Sequence, residues 1–459
     1  MRMDPVIFRQ YDIRGTVGVD LTTDAARLVG AAMGSEARDR LGRPATLAVG
    51  RDNRPSGESL LGALVEGLQS TGTKVVNVGL VPTPALYFAI HHLSADGGVQ
   101  VTGSHNPPEM NGFKMVLGGL PFAGDDIQGL RERIEAGRFA AGRGDATAHE
   151  VLAAYGKEIV SRIGKLARPL SVVVDCGNGV PGLTYPGVLE ALGAKVDRLY
   201  CESVGTFPNH HPDPTVLANL VALQARVRAV HADVGIAFDG DGDRIGAVDE
   251  GGVVLFGDQI LALLGVDLVQ RLGKGREVIF DVKCSDALVE TLERVGAKPT
   301  MWMTGHSFIK RKMKESGAVL AGEMSGHMFF GPPDYLGYDD ALYAAARLLK
   351  IAAGQPRPLS ALRGALPQYV STPEIRVDCP EQTKLAVVAA AAKHFAERYQ
   401  TVTIDGVRWR ASEGWGLIRA SNTQPLLVLR FEARSAAGLE TIRREAEQVL
   451  RAQGVGGLA

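Results

Sequence analysis

The chain has 459 residues, of which 45% are hydrophobic and 22% are charged, and its formal net charge at pH 7 is −1. This balance is typical of a globular protein long enough for about three or four domains. A net charge so close to zero provides no overall attraction to nucleic acid or to an anionic membrane. We therefore expect neither as a partner, and we expect any anion binding to be local.

The sequence lacks the patterns of a secreted or membrane-spanning protein. Residues 1–10 contain no apolar signal-peptide core. Asp267 interrupts the longest apolar stretch, residues 260–269, which is short of the ~20 residues that span a bilayer. The four cysteines are far apart and form no Cys-x-x-Cys pair, which is typical of reduced thiols. We therefore predict a cytoplasmic protein.

Strand and helix patterns alternate through the first part of the chain. They predict a helix at 22–40, a buried strand at 47–49, a helix that ends at Gln69 and a strand at 74–78. Ser56 is a candidate N-cap for the second helix. Similar strand–turn–helix openings recur near Asp175 and Asp281, and such alternation indicates α/β domains.

The last part of the chain has a different pattern. A linker-like stretch at 366–373 is followed by several short strands, which lie between two predicted helices at 381–398 and 438–453. This arrangement predicts a smaller α+β domain and not a further parallel sheet. The expected domain bounds are therefore 1–147, 148–255, 256–366 and 367–459.

Ser104 lies in a turn that follows a short apolar strand at 98–101. Gly103 permits a tight turn, and Pro107 ends any regular structure. A serine presented at such a junction is a candidate nucleophile or phosphate carrier. Taken alone, the loop is explained at least as well by an ordinary Ser/Asn turn.

The most specific motif is the segment Asp239-Gly-Asp-Gly-Asp-Arg244, in which three carboxylates alternate with glycine. Like charges this close repel one another unless a cation joins them, and hard oxygen ligands favour Mg²⁺ or Ca²⁺. An EF-hand would need glycine where Arg244 stands, and helices where the flanks have strand patterns. The sequence therefore favours Mg²⁺, with coordination positions open to a phosphate oxygen.

Three other polar segments complete the set of candidate loops. The carboxylate and hydroxyl of the Gly-Glu-Met-Ser-Gly-His segment at 322–327 suit sugar hydroxyls, although a generic polar turn is an equal explanation. The Ser, Asn and Thr that follow Arg419 predict an anion-binding nest. Two arginines and a tyrosine at 8–15 are either anion ligands or a solvated edge. Together these loops indicate phosphoryl transfer on a sugar phosphate.

With these motifs in this order, the chain resembles the bacterial phosphomannomutase/phosphoglucomutase family of the α-D-phosphohexomutase superfamily. The resemblance covers essentially the whole chain, and segments 207–213 and 305–307 add to it. It implies three related mixed-sheet α/β domains and a smaller C-terminal α+β domain around a central cleft. It also implies that hexose 1-phosphate and hexose 6-phosphate, of mannose and/or glucose, are interconverted through a phosphoserine. A hexose 1,6-bisphosphate would be the intermediate and activator.

The resemblance further implies roles for individual residues. Ser104 would carry the phosphoryl group and would hold Mg²⁺ together with Asp239, Asp241 and Asp243. The other candidate catalytic residues are His105, Lys114, Arg14 and His306. The residues expected to contact substrate are Tyr11, Arg244, Lys283, Glu323, Ser325, His327, Arg419, Ser421, Asn422 and Thr423.

Three alternatives remain open at this point. One is a phosphoglucosamine mutase, although such enzymes more often carry glutamine where this chain has Met324. The others are a Mg²⁺-dependent sugar phosphatase and a non-catalytic sugar-phosphate binder. A clamp for a second phosphate argues against the phosphatase, and the intact Ser104 and aspartates argue against the binder. We expect small sugar phosphates as partners and a monomer or weak homo-oligomer.

Overall fold

The computed structural model describes residues 3–422 and 424–456. Within these residues the strands form four sheets, and each sheet is the centre of one domain. Strands β and helices α are numbered in chain order, and the domains are numbered by their sheets. Three mixed-sheet α/β domains and a smaller α+β domain confirm the predicted fold class.

The first domain is a mixed sheet with the strand order β1-β5-β4-β2-β3-β7, and β6 pairs with β5. Its strands are β1 (Ile13–Thr16), β2 (Thr46–Arg51), β3 (Lys74–Leu80), β4 (Gly97–Val101), β5 (Met110–Leu117), β6 (Leu120–Pro121) and β7 (Ala146–Ala148). Its helices are α1 (Thr23–Leu41), α2 (Gly57–Gln69), α3 (Thr83–His92) and α4 (Asp125–Glu135). Ser56 occupies the predicted N-cap position of α2, but its hydroxyl makes no capping hydrogen bond and instead accepts one from Asn111 Nδ2 at 2.9 Å.

The second domain has the strand order β12-β11-β10-β8-β9. Its strands are β8 (Ser171–Asp175), β9 (Lys195–Leu199), β10 (Val234–Phe238), β11 (Ile245–Asp249) and β12 (Val254–Leu255). Its helices are α5 (Leu152–Ile163), α6 (Tyr185–Leu192) and α7 (Val221–Val230). β8 runs parallel to β9 and β10, whereas β10 and β11 are antiparallel and enclose the aspartate segment.

The third domain has the strand order β14-β13-β15-β16. Its strands are β13 (Glu277–Asp281), β14 (Lys298–Trp302), β15 (Leu320–Gly322) and β16 (Met328–Phe330). Its helices are α8 (Gly257–Leu272), α9 (Asp286–Val295), α10 (His306–Ser316), α11 (Ala341–Ala353) and α12 (Leu359–Gly364). β13 runs parallel to β14 and β15, and β15 and β16 are antiparallel around the Glu323 loop.

The fourth domain is an antiparallel sheet with the order β17-β22-β21-β20-β19, and β18 pairs with β22. Its strands are β17 (Val370–Ser371), β18 (Ile375–Asp378), β19 (Gln400–Val402), β20 (Val407–Arg410), β21 (Gly414–Ala420) and β22 (Leu426–Ala433). Its helices are α13 (Lys384–Ala396) and α14 (Ala436–Ala452).

The four polar loops predicted from sequence each begin where a strand ends. They follow β4, β10, β15 and β21, so each domain presents one loop from the end of a strand. A single buried apolar cluster extends from α3 through α5 and α8 to α11, and it therefore joins the first three domains. This shared core fixes the first three loops relative to one another. Among the described residues, no helix combines the length and hydropathy needed to cross a membrane.

Candidate active site

Ser104 is fully buried in the loop after β4 and adopts a left-handed backbone conformation with a φ of 51°. Its hydroxyl donates a hydrogen bond to Asp239 Oδ2 at 3.0 Å, and His105 Nδ1 lies 3.2 Å from Ser104 Oγ. Left-handed backbone is costly for a residue with a side chain, and such strain is concentrated at functional sites. The first loop therefore presents its serine directly to the aspartate segment of the second domain.

The buried guanidinium of Arg54 holds the serine loop in place. It donates hydrogen bonds to the carbonyl oxygens of Ser104, Asn106, Pro107 and Met110. Asp52 neutralises it at 3.0 Å, and a Cβ atom on Gly103 would lie 2.5 Å from the guanidinium. Glycine is required at this position because Arg54 occupies the space. Sequence reasoning missed Arg54, which lies 50 positions before Ser104.

The three aspartates of the second loop are each fully buried, and their carboxylate oxygens lie within 4.8 Å of one another. Asp239 Oδ1 accepts the N–H groups of Gly242, Asp243 and Arg244 at 3.0 to 3.1 Å. In contrast, Oδ1 of Asp241 and Oδ1 of Asp243 are buried and accept no hydrogen bond from any described residue. Burial, followed by the two neighbouring carboxylates, raises the pKa of Asp239 well above its usual range. Orphaned carboxylate oxygens in so compact a group fit a hard divalent cation.

Lys114 extends from β5 into this acidic group. Its Nζ donates to Asp241 Oδ2 at 2.8 Å and also to Asp243 Oδ2. Burial alone would lower the pKa of Lys114, but the two carboxylates outweigh it and the pKa lies above the ordinary lysine value. Thr83 on α3 adds a hydrogen bond to Asp241 Oδ2 at 2.5 Å. Lys114 is therefore a charged group at neutral pH in this arrangement.

Arg244 and His327 connect the second loop to the third domain. Arg244 Nε donates to His327 Nε2 at 2.9 Å, so this ring nitrogen carries the lone pair and the proton is on Nδ1. His327 Nδ1 lies 3.1 Å from Asp339 Oδ2, and Lys310 Nζ donates to the other oxygen of Asp339 at 2.8 Å. The His306 ring stacks on His327 with a centroid distance of 5.3 Å. Asp339 therefore places a carboxylate charge beside Nδ1 of the histidine that accepts from Arg244.

Sequence reasoning did not find Asp339 or Lys310. The sequence offered one signal, which is the pair of adjacent aspartates before α11. The start of a helix needs only one capping aspartate, and Asp340 supplies that bond, so Asp339 was available for another role.

Burial, and then Lys310, lowers the pKa of His306 well below its usual range. Burial, and then Arg244, does the same for His105. Both rings are therefore neutral near pH 7.

A second polar cluster joins the first, third and fourth domains. The Tyr11 hydroxyl donates to Thr304 O at 2.9 Å and accepts a hydrogen bond from Asn422 Nδ2. Asp405 Oδ2 accepts from Thr304 N and from Arg419 Nε, both at 3.0 Å. Arg419 Nη2 is buried and bonds to no described residue. Tyr11 also connects the two clusters, because its ring centroid lies 6.2 Å from that of His306.

The remaining predicted residues lie around these clusters. Arg14 Nη1 donates to the carbonyl of Gly103 at 3.2 Å. Lys283 pairs with Glu374 at 3.1 Å, which outweighs the effect of burial and raises the pKa of Lys283. The Glu323 carboxylate accepts the N–H of Gly305 at 2.7 Å, and burial raises its pKa.

Three predicted substrate contacts from the third and fourth loops complete the set. Ser325 is half-buried in the loop after β15. Ser421 accepts the N–H of Gln424 at 3.2 Å. Thr423 lies outside the described residues.

The fold and the two clusters define a class of protein: a four-domain α/β chain with a buried serine beside three aspartates that could hold a cation, and a second polar cluster around a buried arginine. Sequence profiles of the phosphoglucomutase/phosphomannomutase alpha/beta/alpha domains I, II and III match residues 5–141, 153–252 and 256–369. The profile of the C-terminal domain matches residues 374–449. The chain belongs to the phosphoglucomutase/phosphomannomutase family.

Individual relatives resemble the chain along nearly its whole length. A phosphomannomutase/phosphoglucomutase of Pseudomonas aeruginosa is 49% identical over 97% of this chain and 96% of the relative. A phosphoglucomutase of Neisseria gonorrhoeae is 44% identical over the same shares of the two chains. A crystal structure of a phosphoglucomutase/phosphomannomutase family protein from Burkholderia thailandensis superposes with a TM-score of 0.92, at 44% identity and with full coverage of both chains.

Proposed function

We propose that the protein is a phosphohexomutase that interconverts hexose 1-phosphate and hexose 6-phosphate, with mannose and/or glucose as the hexose. One observation carries this proposal: the buried Ser104 hydroxyl lies beside the three aspartates, while Arg419 offers a buried guanidinium nitrogen in a separate cluster. A phosphatase needs one phosphate site, whereas a mutase must hold two phosphates at once. The names of the relatives, phosphomannomutase and phosphoglucomutase, support the same reaction.

Mg²⁺ is the proposed cofactor, and Ser104, Asp239, Asp241 and Asp243 would hold it. When bound, it supplies positive charge against the negative charge of the transferring phosphoryl group. Lys114 and the guanidinium of Arg244 add two positive charges near these carboxylates. A phosphoserine brings about −1.5 to −2 charges, so Ser104 can store a phosphoryl group only in such surroundings.

The proposed reaction conserves the phosphoryl group on the protein. Phosphorylated Ser104 gives its phosphoryl group to the free hydroxyl of a hexose monophosphate, which yields the 1,6-bisphosphate and a serine hydroxyl. After the bisphosphate turns over, its other phosphate returns to Ser104 and the isomeric monophosphate leaves. Added 1,6-bisphosphate therefore activates the enzyme, because it restores the phosphoserine.

Proton transfer is assigned from the charge states of the site. Lys114 is held in its charged form by two carboxylates, and because its pKa is raised it is suited to stabilise charge more than to donate a proton. His105 and His306 are neutral and are suited to accept the proton of the attacking hydroxyl. Arg14 binds a carbonyl of the serine loop and would orient that loop.

The second cluster is the proposed clamp for the phosphate that is not transferred. Arg419, Ser421, Asn422 and Thr423 would bind it, because a guanidinium, hydroxyls and an amide provide the necessary donors. The residues proposed to face the sugar are Tyr11, Lys283, Glu323, Ser325 and His327. A clamp that recognises only the phosphate group would bind either the 1-phosphate or the 6-phosphate of the bisphosphate, as the reaction requires.

The deciding assay uses glucose 1-phosphate with Mg²⁺ and a trace of glucose 1,6-bisphosphate. We expect glucose 6-phosphate without free phosphate, and release of free phosphate without glucose 6-phosphate would instead show a phosphatase. Initial rates on the 1-phosphates of mannose, glucose and glucosamine rank the substrates and test the phosphoglucosamine alternative. We further propose a monomer or weak homo-oligomer that acts in the cytoplasm, which light scattering and cell fractionation can test.

A further inference from the structure

Two cysteines that are 25 positions apart touch each other in the second domain, where their Sγ atoms lie 3.3 Å apart. Cys176 follows β8 directly, and Cys201 follows β9 by two residues. The strands are parallel neighbours with Asp175 opposite Leu199, so both cysteines emerge at the same edge of the sheet. A disulfide has an S–S distance of about 2.05 Å. A small approach of the two segments would therefore bring the sulfurs into bonding range.

The two thiols differ in exposure and acidity. Cys176 is fully buried, whereas Cys201 is only partly covered and can be reached from solvent. Burial raises the pKa of Cys176 well above its usual range. The hydrogen bond with Cys176 lowers the pKa of Cys201, and this effect outweighs burial. Cys201 is therefore the thiol that an oxidant meets first, and Cys176 is placed to resolve it.

We propose that Cys176 and Cys201 form a reversible disulfide when the protein meets a two-electron oxidant of the peroxide class. The Cys201 thiolate attacks a peroxide oxygen and the O–O bond breaks. Hydroxide is the leaving group, and Cys201 becomes a sulfenic acid. Cys176 sulfur then attacks the sulfenic sulfur, its proton leaves with the displaced hydroxyl as water, and the S–S bond forms. The first hydroxide takes up the proton released by Cys201, so two thiols and one peroxide give one disulfide and two waters.

The Cys176 side of this pair is packed against the aspartate loop. The carbonyl of Cys176 accepts the N–H of Gly179 at 2.7 Å, and Val180 N donates to Gly240 O at 3.1 Å. A Cβ atom on Gly179 would lie 2.5 Å from Gly240 O, so the two loops have no space between them. Gly240 stands between two of the proposed metal ligands. A displacement of Cys176 is therefore transmitted to the cation site.

The Cys201 side is packed against the segment that supports the serine loop. Asn53 Nδ2 donates to Ser203 Oγ at 2.9 Å and to Asn178 O at 2.7 Å. A Cβ atom on Gly205 would lie 1.9 Å from Asn53 O, which shows how closely these segments pack. The next residue is Arg54, which holds the carbonyls around Ser104. The geometry therefore indicates that closing the bond shifts the serine and aspartate loops relative to each other, and that turnover falls.

The test treats the reduced, Mg²⁺-loaded protein with hydrogen peroxide. We expect a mass loss of about 2 Da, which is the two hydrogens removed, and a peptide map that joins Cys176 to Cys201. The free-thiol count should fall from the four of the sequence to two. Because a misplacement of 1 Å can cost about 100-fold in rate, turnover should fall by about tenfold or more and return with dithiothreitol. The mass and peptide readouts do not depend on the proposed function, so failure of the mutase assay and failure of the disulfide are distinguishable.

Serine variants provide the matched controls. Cys201→Ser and Cys176→Ser should keep the basal rate and lose the reversible response, whereas Cys379→Ser, at a buried cysteine of the fourth domain, should keep both. If the buried Cys176 variant fails to fold, the Cys201→Ser variant alone provides this control. Four reduced thiols after treatment, a bond through another cysteine, sulfinic acid on Cys201 without a disulfide, or a disulfide that leaves turnover unchanged would each overturn the proposal.

Discussion

The Ser104 hydroxyl lies 3.0 Å from the Asp239 carboxylate, although 135 positions separate the two residues. Ser104 follows β4 of the first domain, and Asp239 follows β10 of the second. Neither domain holds both groups, so the serine meets the acidic group only when the two domains pack together.

The Ser104→Ala variant tests the carrier role. We expect turnover to be abolished while the fold and substrate binding are largely retained, because only one hydroxyl is removed. The measurements are a coupled mutase assay, circular dichroism and label transfer from radioactive glucose 1,6-bisphosphate. Ser94→Ala is a matched control, since Ser94 has the same φ of 51° but lies exposed after α3. Wild-type activity in Ser104→Ala would refute the carrier role.

The Asp241→Ala variant tests the cation site. It removes an orphaned buried carboxylate oxygen and one of the two charges that hold Lys114. We expect activity and the Mg²⁺ requirement to be lost together, with weaker Mg²⁺ binding in isothermal titration. Undiminished activity of the wild-type protein in EDTA would contradict a metal-assisted reaction.

The Asp339→Asn variant tests the positioning of His327 and Arg244. By analogy with groups that orient metal-bound histidines, we expect kcat to fall about 10- to 100-fold, with a smaller change in KM. The ¹⁵N shifts of histidine-labelled protein should show loss of the single Nδ1–H tautomer of His327. A purely structural role would lower the melting temperature and leave both the tautomer and kcat of the folded fraction unchanged.

The neighbouring Asp340→Asn variant should change how stability depends on pH. Burial raises the pKa of Asp340 to about 7, although hydrogen bonds from Tyr343 N and the Tyr155 hydroxyl oppose this. Between the unfolded value of about 3.9 and 7, the folded protein keeps a proton that the unfolded chain has lost. The stability contributed by this group therefore decreases as pH rises, by up to about 1.4 kcal/mol per pH unit.

Asparagine also caps helices well, so Asp340→Asn preserves the capping position while removing the titration. Calorimetric melting temperatures at several pH values provide the measurement. We expect the wild-type melting temperature to fall relative to the variant between about pH 4 and 7, and the difference to stay constant above that range. Parallel curves for the two proteins would show that Asp340 does not titrate in this window.

Arg408 and Arg410 form a matched pair at the boundary of the third and fourth domains. Both bind Asp286, but the Arg408 side chain is 4% exposed, whereas that of Arg410 is 59% exposed. Arg408→Ala removes the buried partner of the Asp286 carboxylate and should cost about 3–5 kcal/mol. Arg410→Ala should cost no more than about 1 kcal/mol. Equal losses in denaturant unfolding would show that burial does not determine the strength of this contact.

Sequence patterns predicted the parts of the site whose residues are adjacent in the chain. The alternating aspartates and the strands on either side of them were found because both are local patterns, and the structure places them as β10, the loop and β11. Arg54 and Asp339 were missed because each acts on a loop from a different segment. The contact between Cys176 and Cys201 was invisible for the same reason, since their proximity depends on the register of β8 and β9.

Arg54 also predicts how the protein tolerates random mutation. One side chain satisfies the carbonyls of four residues in the serine loop, and Asp52 pairs with its charge. Lysine cannot replace it, because a single ammonium lacks the fork of donors that reaches all four oxygens. In a saturation library selected for mutase activity, position 54 should therefore be as invariant as position 104, although Arg54 is not among the residues proposed to contact the sugar.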